Sequence, residues 1–283
     1  MTGTPVYRRC LFAKDIAMQG SANLNVMLKA ARKAGRSLVK DFREVENLQV
    51  GSKGPGDFVS RADIAAEQIL KDELMGARPN YGFLGEEGPE IAGTDPTRRW
   101  IVDPLDGTTN FLHGMPHWSV SIALEHKGEI VAAVVFDPAK DEMFYSEKGQ
   151  GAWMNDSQRL RVSGRTKMID TVYATGLPYG GGKYLPACLQ DLARLLPVCA
   201  GVRRWGAASL DLAYVAAGRF DGYWERGLKP WDIAAGILIV REAGGFVEPI
   251  RAGQDLLAEG HIVAAASGVF EPFSNIIRDR ADA

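Results

Sequence analysis

Residues 99–111, Arg-Trp-Ile-Val-Asp-Pro-Leu-Asp-Gly-Thr-Thr-Asn-Phe, set two carboxylates, Asp103 and Asp106, close behind a short apolar run of Trp100, Ile101 and Val102. The run predicts a strand. Pro104 cannot donate to a sheet ladder, so the strand is expected to end at about Asp103. Asp106-Gly107 is a turn pair, and Thr108-Thr109-Asn110 predicts the start of a helix. Two acids at a strand end, facing a helix start, can hold a hard divalent cation and an anion side by side. Oxygen ligands suit Mg²⁺, which is held partly through substrate phosphate, and the N–H groups of Gly107 and Thr108 would favour a phosphate oxygen. An ordinary Asp-Gly turn with solvated carboxylates explains the tetrapeptide alone equally well, so the other acids must decide.

Glu86-Glu87 follow the short strand expected at Tyr81-Gly-Phe-Leu-Gly85, shortly before the Asp103 stretch. Glu225 ends a later strand pattern, and Asp232 follows Lys229-Pro230-Trp231 at a helix start, where an acid also serves as a cap. Asp63 lies three residues after Ser60, the spacing of a capping box, so it too has a structural explanation. Capping does not explain why Glu86, Asp103, Asp106, Glu225 and Asp232 all fall at element ends. A metal site does, because clustered carboxylates repel one another and need cations between them to stay ionised.

The elements that must position these acids are legible from periodicity. Leu24, Met27, Leu28, Ala31, Gly35, Leu38, Val39 and Phe42 recur at helical spacing and predict a long amphipathic helix over 23–44. A Gly/Pro/Lys-rich loop is expected at 51–56, then a second helix with Ala66, Ile69, Leu70 and Leu74 on its inner face. Apolar runs at 120–124, 130–136 and 142–146, separated by turn pairs, predict an antiparallel meander. From about residue 170 short strands alternate with helices at 185–196, 207–217, 231–243 and 270–280. A mixed first half followed by an α/β second half predicts stacked helix and sheet layers in one domain over 21–283, with a subdomain seam near 160.

Bulk properties exclude other classes. The 283 residues are 46% hydrophobic and 24% charged with a formal net charge of −2, giving no electrostatic case for bulk nucleic-acid or membrane binding. No apolar run approaches the roughly 20 residues of a membrane span. Residues 1–20 lack the apolar core of a signal peptide and are expected to be a frayed extension. Cys10, Cys188 and Cys199 are odd in number and widely spaced, which predicts reduced thiols in a cytoplasmic protein. Cys188 and Arg194 have a Cys-x5-Arg spacing, but Leu-Gln-Asp-Leu-Ala between them offers no phosphate-cradling glycine, and a plain helix surface is expected. Gly180-Gly-Gly-Lys183 misses P-loop spacing and is expected to be a mobile loop. Gly114 and Pro116 break any shared helical face for His113 and His117, which are expected to pack or hydrogen-bond.

Glu86-Glu87, Asp103-Pro-Leu-Asp-Gly-Thr-Thr-Asn110 and Trp231-Asp-Ile-Ala-Ala-Gly236, in that order and spacing, resemble the inositol monophosphatase family of metal-dependent sugar phosphatases. The likeness runs from about residue 21 to the C-terminus and is to the bacterial branch, often called inositol-1-monophosphatase or extragenic suppressor protein. It implies a layered αβαβα sandwich. It also implies two to three Mg²⁺ ions: Glu86, Asp103 and the Leu105 carbonyl at the first, Asp103, Asp106 and Asp232 at the second, Glu86 with waters at a weaker third. Asp63 and Thr108 would orient and help deprotonate the attacking water. Gly107 and Thr108 would offer amides to the phosphate, Glu225 would meet substrate hydroxyls, and Ala208 lies in the matching substrate-facing segment, with Lys53 near the metals. Lys229-Pro230 stands where animal relatives carry His-Cys, so their sugar selectivity does not transfer.

The activity so implied is hydrolysis of a small phosphorylated polyol, foremost myo-inositol 1-phosphate, by a metal-activated water. Fructose 1,6-bisphosphate, 3′-phosphoadenosine phosphate and histidinol phosphate are the substrates of sister families with the same ligands. Family members are usually homodimers, and bacterial relatives can bind the transcription machinery, so a non-catalytic adaptor is the rival from a different class.

Overall fold

A computed structural model describes residues 20–44, 50–54, 57–155, 158–178 and 182–278. The expected N-terminal extension up to residue 19 and residues 180–181 of the expected mobile loop lie outside the described residues. The chain opens with α1 (Ala22–Phe42), whose first turn is capped by the Ser21 hydroxyl accepting from the Leu24 amide. Its apolar stripe includes Leu24, Met27, Leu28, Ala31 and Leu38, all buried. Residues 51–54 are not loop: β1 (Val50–Gly54) and β2 (Asp57–Ser60) pair antiparallel, and residues 55 and 56 of the expected loop lie outside the described residues. Ser60 then caps α2 (Arg61–Ala77) in a capping box with Asp63.

A seven-stranded sheet follows, in the order of the chain: β3 (Gly82–Gly85), β4 (Arg98–Asp106), β5 (Ser119–His126), β6 (Glu129–Asp137), β7 (Glu142–Glu147), β8 (Ala152–Met154) and β9 (Gln158–Arg159). Only the β3–β4 pair within it is parallel; from β4 onward it is the predicted meander. Side chains alternate between faces with the strand period. Trp100, Val102, Val120, Ile122, Val134 and Phe136 pack toward α1 and α2. Ile101, Ala123, Ala133, Val135 and Phe144 point the other way, into the central layer.

That layer is α5 (Ala208–Ala216) and α6 (Pro230–Glu242), both covered by protein on their sheet-facing sides. All nine residues of α5 are buried, as are the eight from Ile233 to Val240 of α6. Helices buried on nearly every side lie in an interior layer, and α6 from Ile233 to Val240 is apolar all round, as such a layer requires. Beyond them lies a five-stranded sheet: β10 (Val172–Thr175) between parallel β11 (Gly201–Arg203) and β12 (Gly222–Glu225), then β14 (Ile262–Ala265) and β13 (Phe246–Pro249), both antiparallel. Its outer face carries α4 (Leu185–Leu195) and α8 (Phe270–Arg278), with Tyr173 stacked on Phe273 at 4.2 Å. A short α7 (Leu256–Glu259) precedes β14. The layers thus run α1/α2, sheet, α5/α6, sheet, α4/α8: a mixed α/β sandwich of the αβαβα kind.

One expectation fails in an informative place. β4 does not end at Asp103 but continues to Asp106. The register moves from Asp103↔Ser121 to Asp106↔Ser119, so β4 uses one residue more than β5 over that step. This is a β-bulge, and a bulge is where a strand tolerates a proline because the ladder is already interrupted. The expected end of the strand at about Asp103 is instead a bulge within it.

Candidate active site

The bulge delivers its acids to one rim. Parallel pairing aligns Gly85 with Val102, so Glu86, just past β3, stands level with Asp103 at the bulge of β4. The far end of β12 supplies Glu225, and the first turn of α6 supplies Asp232. Glu86, Asp103, Asp106, Glu225 and Asp232 line one cavity of about 610 Å³, together with Leu105, Gly107, Thr108 and Ala208. A larger groove of about 1020 Å³ lies at the start of α1. Its charged residues are already committed there, Glu147 to the Ser21 amide and Lys148 to Glu129, and it has no cluster of acids.

Asp103, Asp106, Glu225 and Asp232 in the main cavity, and Asp63 in α2, are held by named donors. Asp103 Oδ1 accepts the Leu105 amide at 2.9 Å. Asp106 reaches across to the start of α5, where it accepts the amides of Ala208 (3.2 Å) and Ser209 (2.7 Å) and the Ser209 hydroxyl (2.6 Å). Asp232 Oδ2 accepts the Lys229 amide at 2.7 Å, the cap expected of an acid in a first helical turn. Asp63 Oδ2 accepts the Ser60 amide (2.8 Å) and hydroxyl (2.6 Å). Its other oxygen lies 2.9 Å from the Thr108 hydroxyl, which also lies 3.0 Å from the Leu105 carbonyl. Thr108 has one hydrogen for these two acceptors. Asp63 is therefore both a helix cap and a partner of Thr108. Glu225 accepts from the Tyr223 hydroxyl. Gly107, at φ +92°, opens α3 (Thr108–Leu112), and a Cβ there would sit 3.0 Å from the His117 carbonyl.

Burial and mutual repulsion dominate the electrostatics. Burial, then Glu86, Asp106 and Asp232, push Asp103 well above the usual carboxylate range. Asp232 is pushed well up by burial and Asp106, and Asp106 itself to about 6 by burial, despite the Ser209 and Ala208 donors. Burial raises Glu225 to about 7, against the attraction of Arg204 on the cavity wall. Asp63 is raised by burial and held down by Ser60 and Thr108. Among the described residues, no three Asp, Glu, His or Cys side chains are drawn together closely enough to hold a metal ion as they stand. Yet the donor set, hard carboxylate oxygens held at high energy by one another, fits Mg²⁺ in chemistry and in charge.

Several participants escape a reading of the sequence. Ser209 and the Ala208 amide hold Asp106 from more than 100 residues away, a pairing no local pattern reveals. Arg204 enters the cavity from the segment after β11. The Lys53 side chain lies outside the described residues. The decoys resolve simply. Cys188 and Arg194 lie on α4, but Cys188 faces inward and is buried, a correction to the expected helix surface, because α4 packs onto a sheet; Arg194 pairs with Asp191. Cys188 and Cys199 are free. His117 packs edge-on against Trp205 and Tyr214, and burial drives its pKa down to about 3. Among the described residues no helix is long and apolar enough to cross a membrane.

Comparison with known proteins agrees with this geometry. The profile of the inositol monophosphatase family matches residues 21–280. An inositol-1-monophosphatase of Rhizobium meliloti is 56% identical over 265 residues, spanning 92% of this chain and 98% of the relative. The Nus factor SuhB of Escherichia coli strain K12 is 43% identical over 256 residues, 90% of this chain and 96% of that protein. The crystal structure of the extragenic suppressor protein suhB from Bartonella henselae superposes with a TM-score of 0.89 at 52% identity, covering 92% of this chain and 100% of that one. With the acids at the bulge, the paired Asp63 and Thr108 and a match over nearly the whole sequence, the chain belongs to the inositol monophosphatase family.

Proposed function

We propose that this chain is a Mg²⁺-dependent phosphoric monoester hydrolase acting on small phosphorylated polyols, with myo-inositol 1-phosphate as its foremost substrate. The observation that carries the proposal is the convergence of Glu86, Asp103, Asp106 and Asp232 on the cavity that also holds Thr108 and Glu225. Two to three divalent ions held by Glu86, Asp103, the Leu105 carbonyl, Asp106 and Asp232 would supply Lewis acidity to the phosphate and acidify water. The remaining roles fall to the chain's own groups. Gly107 and Thr108 face the phosphate with their amides. The Thr108 hydroxyl, pointed at Asp63, accepts a proton of the attacking water as it passes its own to Asp63. A carboxylate raised by burial is a better proton acceptor at neutral pH than a solvated one. The water oxygen bonds to phosphorus, the ester P–O bond opposite breaks, and the leaving alkoxide is protonated from solvent. Glu225 and the Ala208 segment bound the polyol side, where Glu225 accepts hydroxyl hydrogens. A homodimer in the cytoplasm is part of the same proposal.

Phosphate release from myo-inositol 1-phosphate, fructose 1,6-bisphosphate, 3′-phosphoadenosine phosphate and histidinol phosphate, each with and without Mg²⁺, tests it. Release strongest on the inositol ester and lost without Mg²⁺ is expected. Preference for another ester would keep the metal site and move the substrate; no release from any would sink the enzyme.

A second role is favoured by the relative named Nus factor SuhB: an adaptor for the transcription machinery. Retention of RNA polymerase by a catalytically dead variant supports it, and failure of the wild type to retain any such partner counts against it.

A further inference from the structure

We propose that Glu67 is a positioning residue for Glu86, its buried carboxylate being the post around which the segment 85–88 is wound. Glu67 stands in the inward stripe of α2, among buried Ala62, Ala66 and Leu70 and one helical turn beyond Asp63. It is only 8% exposed, and a carboxylate taken out of water needs donors. One donor is the Glu87 amide, which meets Glu67 Oε2 at 2.8 Å.

The sequence on either side of Glu86 is shaped to the same carboxylate. A Cβ on Gly85 would lie 2.4 Å from Glu67 Oε2, and one on Gly88 3.0 Å from Oε1. Neither glycine adopts a positive φ, so what glycine supplies here is room, not conformational freedom. Glu86 thus sits inside a bracket closed on Glu67. One helix fixes both Asp63, beside Thr108, and the segment that brings Glu86 to the rim. Partners that orient ligands in this way typically change metal affinity by 10- to 100-fold when lost.

This inference rests on the metal-dependent reading above, and its test separates the two. Three variants of the full chain are compared with wild type: Glu67→Ala, Glu67→Gln, which keeps an oxygen acceptor for the Glu87 amide, and Gly85→Ala, which displaces the carboxylate without deleting it. Hydrogen–deuterium exchange of the Glu87 amide should quicken about tenfold in Glu67→Ala and stay within about twofold in Glu67→Gln. Mn²⁺ affinity of the substrate-free protein, followed by electron paramagnetic resonance, should weaken about tenfold or more in Glu67→Ala and in Gly85→Ala, and little in Glu67→Gln. At saturating metal, kcat of all three should remain within about threefold of wild type, because no group touching the phosphate is removed. Wild-type exchange at Glu87 together with wild-type Mn²⁺ affinity in Glu67→Ala would overturn the proposal. If Glu67→Ala does not fold, Gly85→Ala decides on the same two readouts. If the wild type itself binds no Mn²⁺, the metal-dependent reading falls, while the exchange comparison still decides whether Glu67 holds the segment.

Discussion

Replacing Asp103 by asparagine should cost nearly all activity and make the metal-free protein more stable. Asp103 lies among the other acids, and the repulsion it feels comes from Glu86, Asp106 and Asp232 after burial itself. Asparagine keeps an oxygen for the Leu105 amide and removes the charge. The reaction should slow on the order of 1,000-fold, equivalent to about 4 kcal/mol of lost transition-state stabilisation. Without divalent metal, the melting temperature should rise by roughly 2–4 °C, the shift expected of about 1 kcal/mol in a domain of this size. Phosphate release and calorimetry on the same preparations check both halves. An Asp103→Asn enzyme with wild-type turnover at limiting Mg²⁺, or one that melts lower without metal, would mean that Asp103 is a fold residue and not a ligand. The opposed signs matter, because an ordinary buried aspartate with satisfied hydrogen bonds loses stability on such a change.

The second large effect is on stability as a function of pH and metal. Asp106 and Glu225 hold their protons to about 6 and about 7 in the folded chain, above the values near 4 of an unfolded chain. The folded state therefore binds more protons than the unfolded state between these limits. The stabilisation is full below about pH 4 and is lost as pH rises through 6 and 7. Asp103 and Asp232, also raised, add in the same direction. His117 acts oppositely: depressed to about 3, it penalises folding as pH falls below its unfolded value near 6.5 and is nearly silent above it. Between pH 6 and 8 the carboxylates dominate, and the metal-free protein should lose about 1–2 kcal/mol, roughly 4 °C in melting temperature. Millimolar Mg²⁺ should abolish that decline, since cations replace the departing protons and bind only the folded state. A metal-free protein that grows more stable from pH 6 to 8, or one indifferent to Mg²⁺ throughout, would contradict the account.

Much of the site is legible in the sequence because its acids stand at punctuation. Asp106 is followed by Gly107, Glu86 precedes Gly88, and Asp232 follows Pro230; turn chemistry places these three at element ends before any fold is known, while Asp103, before Pro104, lies inside β4 at its bulge. What was not legible is mostly long-range or inward. The rule that proline stops a strand is correct for a regular ladder and fails at Pro104 because the strand bulges there. Asp106 and Ser209 meet only when α5 is inserted between the sheets; the element pattern predicts stacked layers, but the αβαβα order that puts a helix layer between two sheets is implied by the resemblance alone. Nothing in its neighbours Ala66 and Gln68 marks Glu67 as inward-facing; its burial and the close approach of Gly85 and Gly88 do.

The central claim is that these carboxylates are the ligands of the catalytic metal. Crystals equilibrated with Mn²⁺, with data collected at the manganese absorption edge, test it most directly. The account predicts at least two anomalous peaks within bonding distance, ~2.1 Å for octahedral ligation of this kind, of the Asp103 carboxylate, reached also by Asp106, Asp232 and Glu86. No peak in this cavity at Mn²⁺ concentrations that saturate phosphate release would contradict it.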